Sequence, residues 1–134
     1  MPYCRLFYHF VWATKGRLSL IAETNRESLY ATIAAKVREL KGTVHALNGT
    51  ADHIHLVATV PPSLPLSTFI GQIKGNSSHV ASRLSNDGTP FAWQTEYGVI
   101  SVSESHLPTV VRYVRLQQQH HAADTLNQRL ESCE

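Results

Sequence analysis

Hydrophobic positions along this chain follow two periods, one typical of strands and one typical of helices. Aromatic and β-branched residues without Gly or Pro predict a first strand over residues 5–14. Apolar runs predict three further strands, at residues 43–47, 53–60 and 99–102. Because the first strand is largely apolar on both faces, we expect it at the centre of a sheet that is covered on both sides.

Three other stretches have the helical period. Residues 24–27 fit a capping box with Thr24 as the N-cap, and apolar residues recur at helical spacing from residue 29 to residue 40. A second helix is predicted over residues 67–84. A third is predicted to begin after Ser105, as its N-cap, and to end at about His121.

The resulting order, β-α-β-β-α-β followed by a helix, is that of a ferredoxin-like α+β fold. In this arrangement the two crossover helices pack on one face of an antiparallel sheet, which leaves the third helix to cover the other face. The length of 134 residues suits one domain, residues 1–134, with a polar C-terminal tail at about 122–134.

Two histidines, His53 and His55, stand one residue apart in the third predicted strand. Residues at this spacing point to the same face of a strand, and Ile54 and Leu56 point to the opposite face. Since the crossover helices should cover the aliphatic face, the imidazoles are expected on the face left for the third helix. Two neighbouring imidazoles make half of a metal site. The alternative is that they are ordinary polar residues of a half-buried strand.

On the third helix, Tyr113 and Gln117 lie four residues apart and therefore on one face. A phenol and an amide oxygen one turn apart could serve as a nucleophile and a neutral metal ligand. Alternatively, Tyr113 packs in the core and Gln117 is solvated, but the position of the histidines on the same face favours the functional interpretation. Tyr97, in a loop, is a second candidate nucleophile without a ligand residue at helical spacing.

Net charge, apolar runs and cysteine spacing limit the possible classes of protein but do not identify one. The net charge of +2 permits nucleic-acid binding and does not require it. No apolar run reaches membrane-spanning length, and the N-terminus lacks a signal-peptide pattern, which predicts a soluble, cytoplasmic protein that does not enter a membrane. The two cysteines, Cys4 and Cys133, have no metal or redox spacing and are expected to be free thiols.

The His53-Ile54-His55 triplet, followed by a helix with Tyr113-x-x-x-Gln117, resembles the HUH single-tyrosine transposases of small bacterial insertion sequences, the IS200-like transposases. The resemblance extends from about Tyr8 to His120. It also includes the strand at residues 8–12, the basic residues Lys15 and Arg17, and Asp52.

This resemblance implies an enzyme that cuts and rejoins single-stranded DNA at hairpin-bearing element ends. It implies that Tyr113 attacks the scissile phosphate to form a 5′-phosphotyrosine, and that His53, His55 and Gln117 bind Mg²⁺ or Mn²⁺. It also implies a homodimer in which the tyrosine helix of one subunit completes the site of the other.

Several residues are candidates for supporting roles. Asp52 could hydrogen-bond a ligand histidine or be a plain turn residue, and His120 shares a helical face with Gln117 and could touch the site. Contacts to DNA phosphates are expected from six basic residues, each of which is otherwise a solvated surface charge: Lys15, Arg17, Lys74, Arg83, Arg112 and Arg115.

Two other functions remain open at this point. The first is a domesticated repeat-associated tyrosine transposase or a replication-initiator-like nickase, which would share the catalytic residues and differ in its DNA targets. The second belongs to a different class: a ferredoxin-like binding module whose histidines are incidental or bind a structural metal.

Overall fold

The structure, a computed structural model, describes residues 3–85, 88, 90–117 and 131. Its strands are β1 (Phe7–Ala13), β2 (Thr43–Gly49), β3 (His53–Thr59) and β4 (Gly98–Val102). They form one antiparallel sheet in the order β2-β3-β1-β4. This order confirms the ferredoxin-like α+β fold and places β1 between two neighbours, as its two apolar faces predict.

The helices are α1 (Glu23–Glu39), α2 (Leu66–Leu84) and α3 (Leu107–Arg115), with 3-10 turns at Lys15–Arg17 and Glu104–His106. None of the helices in the described part of the chain is both long and apolar enough to cross a membrane.

The sheet has apolar clusters on both faces. The main core joins the sheet to α1 and α2 through Phe10, Trp12, Leu29, Ile33, Val37, Ile54, Leu56, Phe69, Ile70 and Ile73. On the other face, α3 packs through Val110 and Val114 against Ala46 and Val57. The aliphatic side of β3 therefore faces the crossover helices, and its histidine side faces α3, as the alternation predicts.

Both predicted helix caps are wrong. The N-cap of α1 is Ala22, without a side-chain cap, so Thr24 lies inside the helix. The start of α1 is fixed instead by Ile21, which is buried and donates its backbone N–H to the Ala51 carbonyl at 2.9 Å. Ser105 lies within the 3-10 turn, and α3 begins after His106. The prediction of a continuous helix to about His121 is also wrong, because α3 ends at Arg115 with Leu116 as its C-cap. His121 itself lies outside the described residues.

The connection between β2 and β3 sets the position of the histidines. The pairing of the two strands shifts register between Val44 and Ala46, and it ends with Gly49 opposite Ile54. At Gly49 the backbones approach so closely that a Cβ atom there would lie 2.2 Å from the His53 carbonyl oxygen. A glycine is therefore required where the chain turns back into β3.

Candidate active site

The histidine pair lies buried between the sheet and α3. His53 is 3% exposed and His55 is fully buried. The Nδ1 atom of each ring is already engaged: His53 Nδ1 donates to Asp52 Oδ1 at 2.7 Å, and His55 Nδ1 lies 2.8 Å from His9 Nε2. Each ring therefore directs its Nε2 atom toward the other polar groups of the site.

Helix α3 carries Tyr113, and Gln117 follows just after its end, so that both residues of the same chain lie against this pair. The rings of Tyr113 and His55 lie edge to face, with centroids 6.3 Å apart. Gln117 is fully buried, and its Nε2 atom lies 3.3 Å from His53 Nε2. The end of α3 is held to β2 because Asn48 Nδ2 donates to the Arg115 carbonyl at 3.0 Å. The structure thus brings together the four residues that the sequence selects.

Glu131 joins the same site, which the sequence did not indicate. Its Oε1 atom lies 3.1 Å from His55 Nε2 and 3.4 Å from His53 Nε2. Its Oε2 atom accepts a hydrogen bond from the Tyr113 hydroxyl, and the Gln117 amide donates to both carboxylate oxygens at 3.2 and 3.1 Å. Glu131 stands 76 residues from His55 in a polar tail, where no motif or periodicity marks it.

Burial and hydrogen bonding compete in setting the charges of this site. Burial is the largest single influence and favours the neutral forms of His53 and Glu131, but the hydrogen bonds and charges of their neighbours together outweigh it. The pKa of Glu131 is held well below its ordinary value, and the pKa of His53 is raised. For His9, burial and then the neighbouring His55 ring lower the pKa to about 3, so this ring is neutral. A negative carboxylate therefore lies among the imidazoles.

These side chains fit a divalent ion. The nearest ligand atoms of His53, His55 and Glu131 lie within 4.8 Å of one another. Neighbouring ligands of an octahedral ion with bonds of about 2.1 Å lie about 3.0 Å apart, close to the 3.1 to 3.4 Å contacts made by Glu131 Oε1.

The Gln117 side chain supports the same conclusion. Its Oε1 atom is buried and has no hydrogen-bond partner in the described part of the chain. Turning this amide over would place that oxygen beside His53 Nε2, where it could serve as a ligand.

The candidate DNA-binding residues divide between the two sides of the sheet. Arg112 and Arg115 are exposed on α3, on either side of Tyr113 in sequence. Lys15 and Arg17 lie in the exposed turn after β1, at the end of the sheet where Ala13 pairs with His53.

Lys74 and Arg83 lie on α2, in the opposite layer. The Lys74 ammonium donates to the carbonyls of Gln94 at 2.6 Å and Glu96 at 3.0 Å, which ties a loop to the helix. Contact of all six basic residues with DNA stays a prediction.

The remaining candidates lie elsewhere. Tyr97, the second candidate nucleophile, packs against the main core on the side of α1 and α2. His120 lies outside the described residues, so its suggested contact with the site stays a prediction. Asp52 lies beside the site and accepts hydrogen bonds from His53 Nδ1 and from Thr50 Oγ1, the latter at 3.1 Å.

Solved structures with the same fold include two transposases. A putative transposase from Deinococcus radiodurans R1 superposes with a TM-score of 0.69 at 22% identity, over 87% of this chain and 95% of that protein. A REP-associated tyrosine transposase bound to a REP hairpin superposes with a TM-score of 0.68 at 18% identity, over 90% of this chain and 74% of that protein. At these identities the likeness supports the fold.

Sequence comparison identifies the family. Transposases for insertion sequence element IS200 from Salmonella typhimurium (strain LT2) and Salmonella typhi are each 35% identical to this chain over 72 residues. The match covers 53% of this chain and 47% of each relative, so the chain spans about half the length of these relatives. The family model of IS200-like transposases matches residues 3–117, which include the histidine pair, Tyr113 and Gln117. This chain therefore belongs to the IS200-like transposase family, as its motifs predict.

Proposed function

We propose that this protein cuts and rejoins single-stranded DNA at hairpin-bearing ends by transesterification through Tyr113. The observation that carries the proposal is the meeting of a phenol hydroxyl, two imidazoles and an amide in one partly buried site of a member of this family. The substrate class follows the family resemblance. It also agrees with the hairpin bound by the REP-associated relative of the same fold.

In the proposed reaction, the Tyr113 oxygen forms a bond to the scissile phosphorus as the bond from phosphorus to the 3′-oxygen breaks. The products are a 5′-phosphotyrosine and a free 3′-hydroxyl. Since one phosphoester replaces another, the step needs no nucleotide hydrolysis, and a 3′-hydroxyl can reverse it. The Glu131 carboxylate accepts the hydrogen bond of the Tyr113 hydroxyl, which orients the phenol and offers its proton a path to solvent.

Phenols have a pKa of about 10, so attack near neutral pH needs assistance. A Mg²⁺ or Mn²⁺ ion held by His53, His55 and Gln117, with Glu131 as a further ligand, would polarise the scissile phosphate and stabilise the charge that develops on it. Imidazole is a better ligand for Mn²⁺ than for Mg²⁺, so we expect modest Mg²⁺ affinity and tighter Mn²⁺ binding.

Contacts to the DNA backbone are proposed for Arg112, Arg115, Lys15 and Arg17. The first pair flanks the nucleophile on α3, and the second lies at the histidine end of the sheet, so both could hold phosphates on either side of the scissile bond. Because these contacts are electrostatic, binding of single-stranded DNA should weaken as salt is raised. Neutralising any one of the four should reduce that salt dependence.

A covalent adduct assay tests the chemistry. The protein is incubated with Mn²⁺ and labelled single-stranded hairpin DNA from the flanks of its gene, and adducts are separated on a denaturing gel. Tyr113→Phe should abolish the adduct, whereas Tyr97→Phe, which removes the same oxygen from the second candidate, should leave it unchanged. Absence of an adduct with the wild-type protein would refute the transposase chemistry, and an adduct with Tyr113→Phe would refute the choice of nucleophile.

The nature of the products separates transposition from the related activities. Transfer of the cut strand to a second DNA molecule supports a transposase. Nicking without transfer supports instead a domesticated repeat-associated enzyme or a replication-initiator-like nickase. DNA or metal binding without any cutting would favour the non-catalytic binding module.

A homodimer with shared sites is also part of the proposal, and a mixing experiment tests it. His55→Ala and Tyr113→Phe are each expected to be inactive. If the tyrosine helix serves the partner subunit, a mixture of the two variants regains part of the wild-type activity, because each mixed dimer then has one intact site and one doubly defective site. No recovery would support the arrangement seen within one chain, where α3 packs on its own histidines. Sedimentation measures the oligomeric state itself.

A further inference from the structure

A third histidine, His9, supports the histidine pair from the central strand. Antiparallel pairing places His9 opposite Val57 and Val11 opposite His55, so His9 and His55 are diagonal neighbours on one face of the sheet. The two rings are nearly parallel, at 17°, with centroids 5.1 Å apart. His9 Nε2 lies 2.8 Å from His55 Nδ1, and both side chains are fully buried.

A histidine is a costly choice for this position on packing grounds alone. The residues that follow His9 on the same face of β1 are Val11 and Ala13, both buried and apolar. His9 Nδ1 is also buried and has no hydrogen-bond partner among the described residues. An aliphatic side chain would fill the space without burying an unpaired nitrogen, so the bond from Nε2 to His55 is what the histidine adds.

The need for this bond follows from what a ligand histidine requires. A ring that binds an ion through Nε2 carries its proton on Nδ1, and a partner at Nδ1 fixes both the tautomer and the ring orientation. His53 has such a partner in the Asp52 carboxylate. For His55, the described residue whose polar atom lies at a similar distance from Nδ1 is His9, through its Nε2 atom.

We propose that His9 is a positioning residue, which holds the His55 ring with Nε2 directed into the metal site. A neutral imidazole suits this role for two reasons. It adds no further negative charge beside an ion that must act on a phosphate. When His55 binds an ion through its Nε2 atom, His9 Nε2 can accept a hydrogen bond from His55 Nδ1–H. When His55 Nε2–H is bonded to Glu131 instead, His9 Nε2–H can donate to His55 Nδ1. His55 thus keeps a partner in both states.

The inference rests on the proposed metal site, and its test measures metal binding and ring geometry rather than activity. Two variants of equal length form the comparison: in His9→Gln the amide oxygen can accept from His55 Nδ1, and in His9→Met the thioether is at most a weak acceptor. Calorimetric titration with Mn²⁺ should show 10- to 100-fold weaker binding for His9→Met, roughly the loss typical of removing such a partner. His9→Gln should bind within a few-fold of wild type.

His45→Met is the matched control. It removes a half-buried histidine of β2 that bonds Thr59 Oγ1 at 2.7 Å, away from the ligand pair, and should leave Mn²⁺ affinity unchanged. Equal affinity of His9→Met and wild type would overturn the inference, as would equal losses in His9→Met and His45→Met.

Nitrogen NMR of the ¹⁵N-labelled wild-type protein gives an answer without any variant. A scalar coupling between His9 Nε2 and His55 Nδ1 across their hydrogen bond is expected, and saturation with Mg²⁺ should place the His55 proton on Nδ1. Absence of the coupling would overturn the inference even if the variants do not fold. If the coupling is present and the wild-type protein binds no Mn²⁺, the proposed metal site is wrong and the positioning of His55 by His9 still stands.

Discussion

Replacing Gly49 by alanine should damage both the stability and the site of this protein. The added Cβ would lie 2.2 Å from the His53 carbonyl oxygen and 3.1 Å from Ile54 Cα. Ordinary contact begins at 3.4 Å, so the two backbones must separate by about 1.2 Å. Both neighbours belong to β3, which is paired on its other side with β1, so the separation must occur in the turn that leads into the histidine pair.

The expected loss follows from the cost of overpacking, which is about 1–3 kcal/mol. Unfolding entropy of about 2.1 cal/mol/K per residue gives about 0.28 kcal/mol/K for 134 residues, so the melting temperature should fall by about 4–11 °C. Since a misplacement of about 1 Å in a catalytic group costs on the order of 100-fold in rate, adduct formation by the folded fraction should fall by a similar factor.

Gly75→Ala is the control, because it makes the same change where nothing lies within 4 Å of the new methyl group. Gly75 lies inside α2, and removing a glycine from a helix interior should raise stability by about 0.5–1 kcal/mol, or about 2–4 °C. The two variants should therefore shift the thermal transition in opposite directions. If Gly49→Ala has the melting temperature of the wild type, or if both variants lower it by the same amount, the close approach of the two backbones at Gly49 does not destabilise the alanine variant.

Three further outcomes are expected. Asp52→Asn should weaken Mn²⁺ binding about 10- to 100-fold in a calorimetric titration, because the amide no longer offers a charged acceptor to His53 Nδ1; unchanged affinity would show that Asp52 is a plain turn residue. Asn48→Ala should remove the hydrogen bond to the Arg115 carbonyl, so that α3 loses its tie to β2. The free energy of unfolding in urea should fall by about 0.5–1.5 kcal/mol, and adduct formation by Tyr113 should slow. A loss of stability without any effect on the rate would mean that α3 keeps its position without this hydrogen bond. Chelation by EDTA should abolish adducts and added Mn²⁺ should restore them, and adducts that persist in EDTA would exclude a metal role in cleavage.

The main architecture could be read from the sequence because local patterns determine it. Alternation along β3 assigns His53 and His55 to one face and Ile54 to the other, and the crossover topology then decides which face α3 must cover. The helical spacing of Tyr113 and Gln117 predicts that both face the histidines, and both do, although Gln117 lies just beyond the end of α3. These inferences depend on periodicity and topology, and the structure agrees with them.

The features that the sequence did not reveal depend on contacts between distant segments. The start of α1 follows a backbone hydrogen bond between Ile21 and Ala51, which overrides the capping pattern at Thr24. The contact between His9 and His55 requires the register of β1 against β3, which no local pattern provides. Glu131 reaches the site from a tail with no recognisable motif, so its place became visible only with the packed structure.

The two faces of β3 also have a consequence for folding. If this strand paired one residue out of register, every side chain would change sides, and the imidazoles of His53 and His55 would replace Ile54 and Leu56 in the aliphatic core. Burying each imidazole without a partner in that core would cost about 1–3 kcal/mol. A misaligned chain thus loses much of its folding free energy along with its site. The alternation that places both histidines on one face therefore also disfavours folded chains in which they point to the other face.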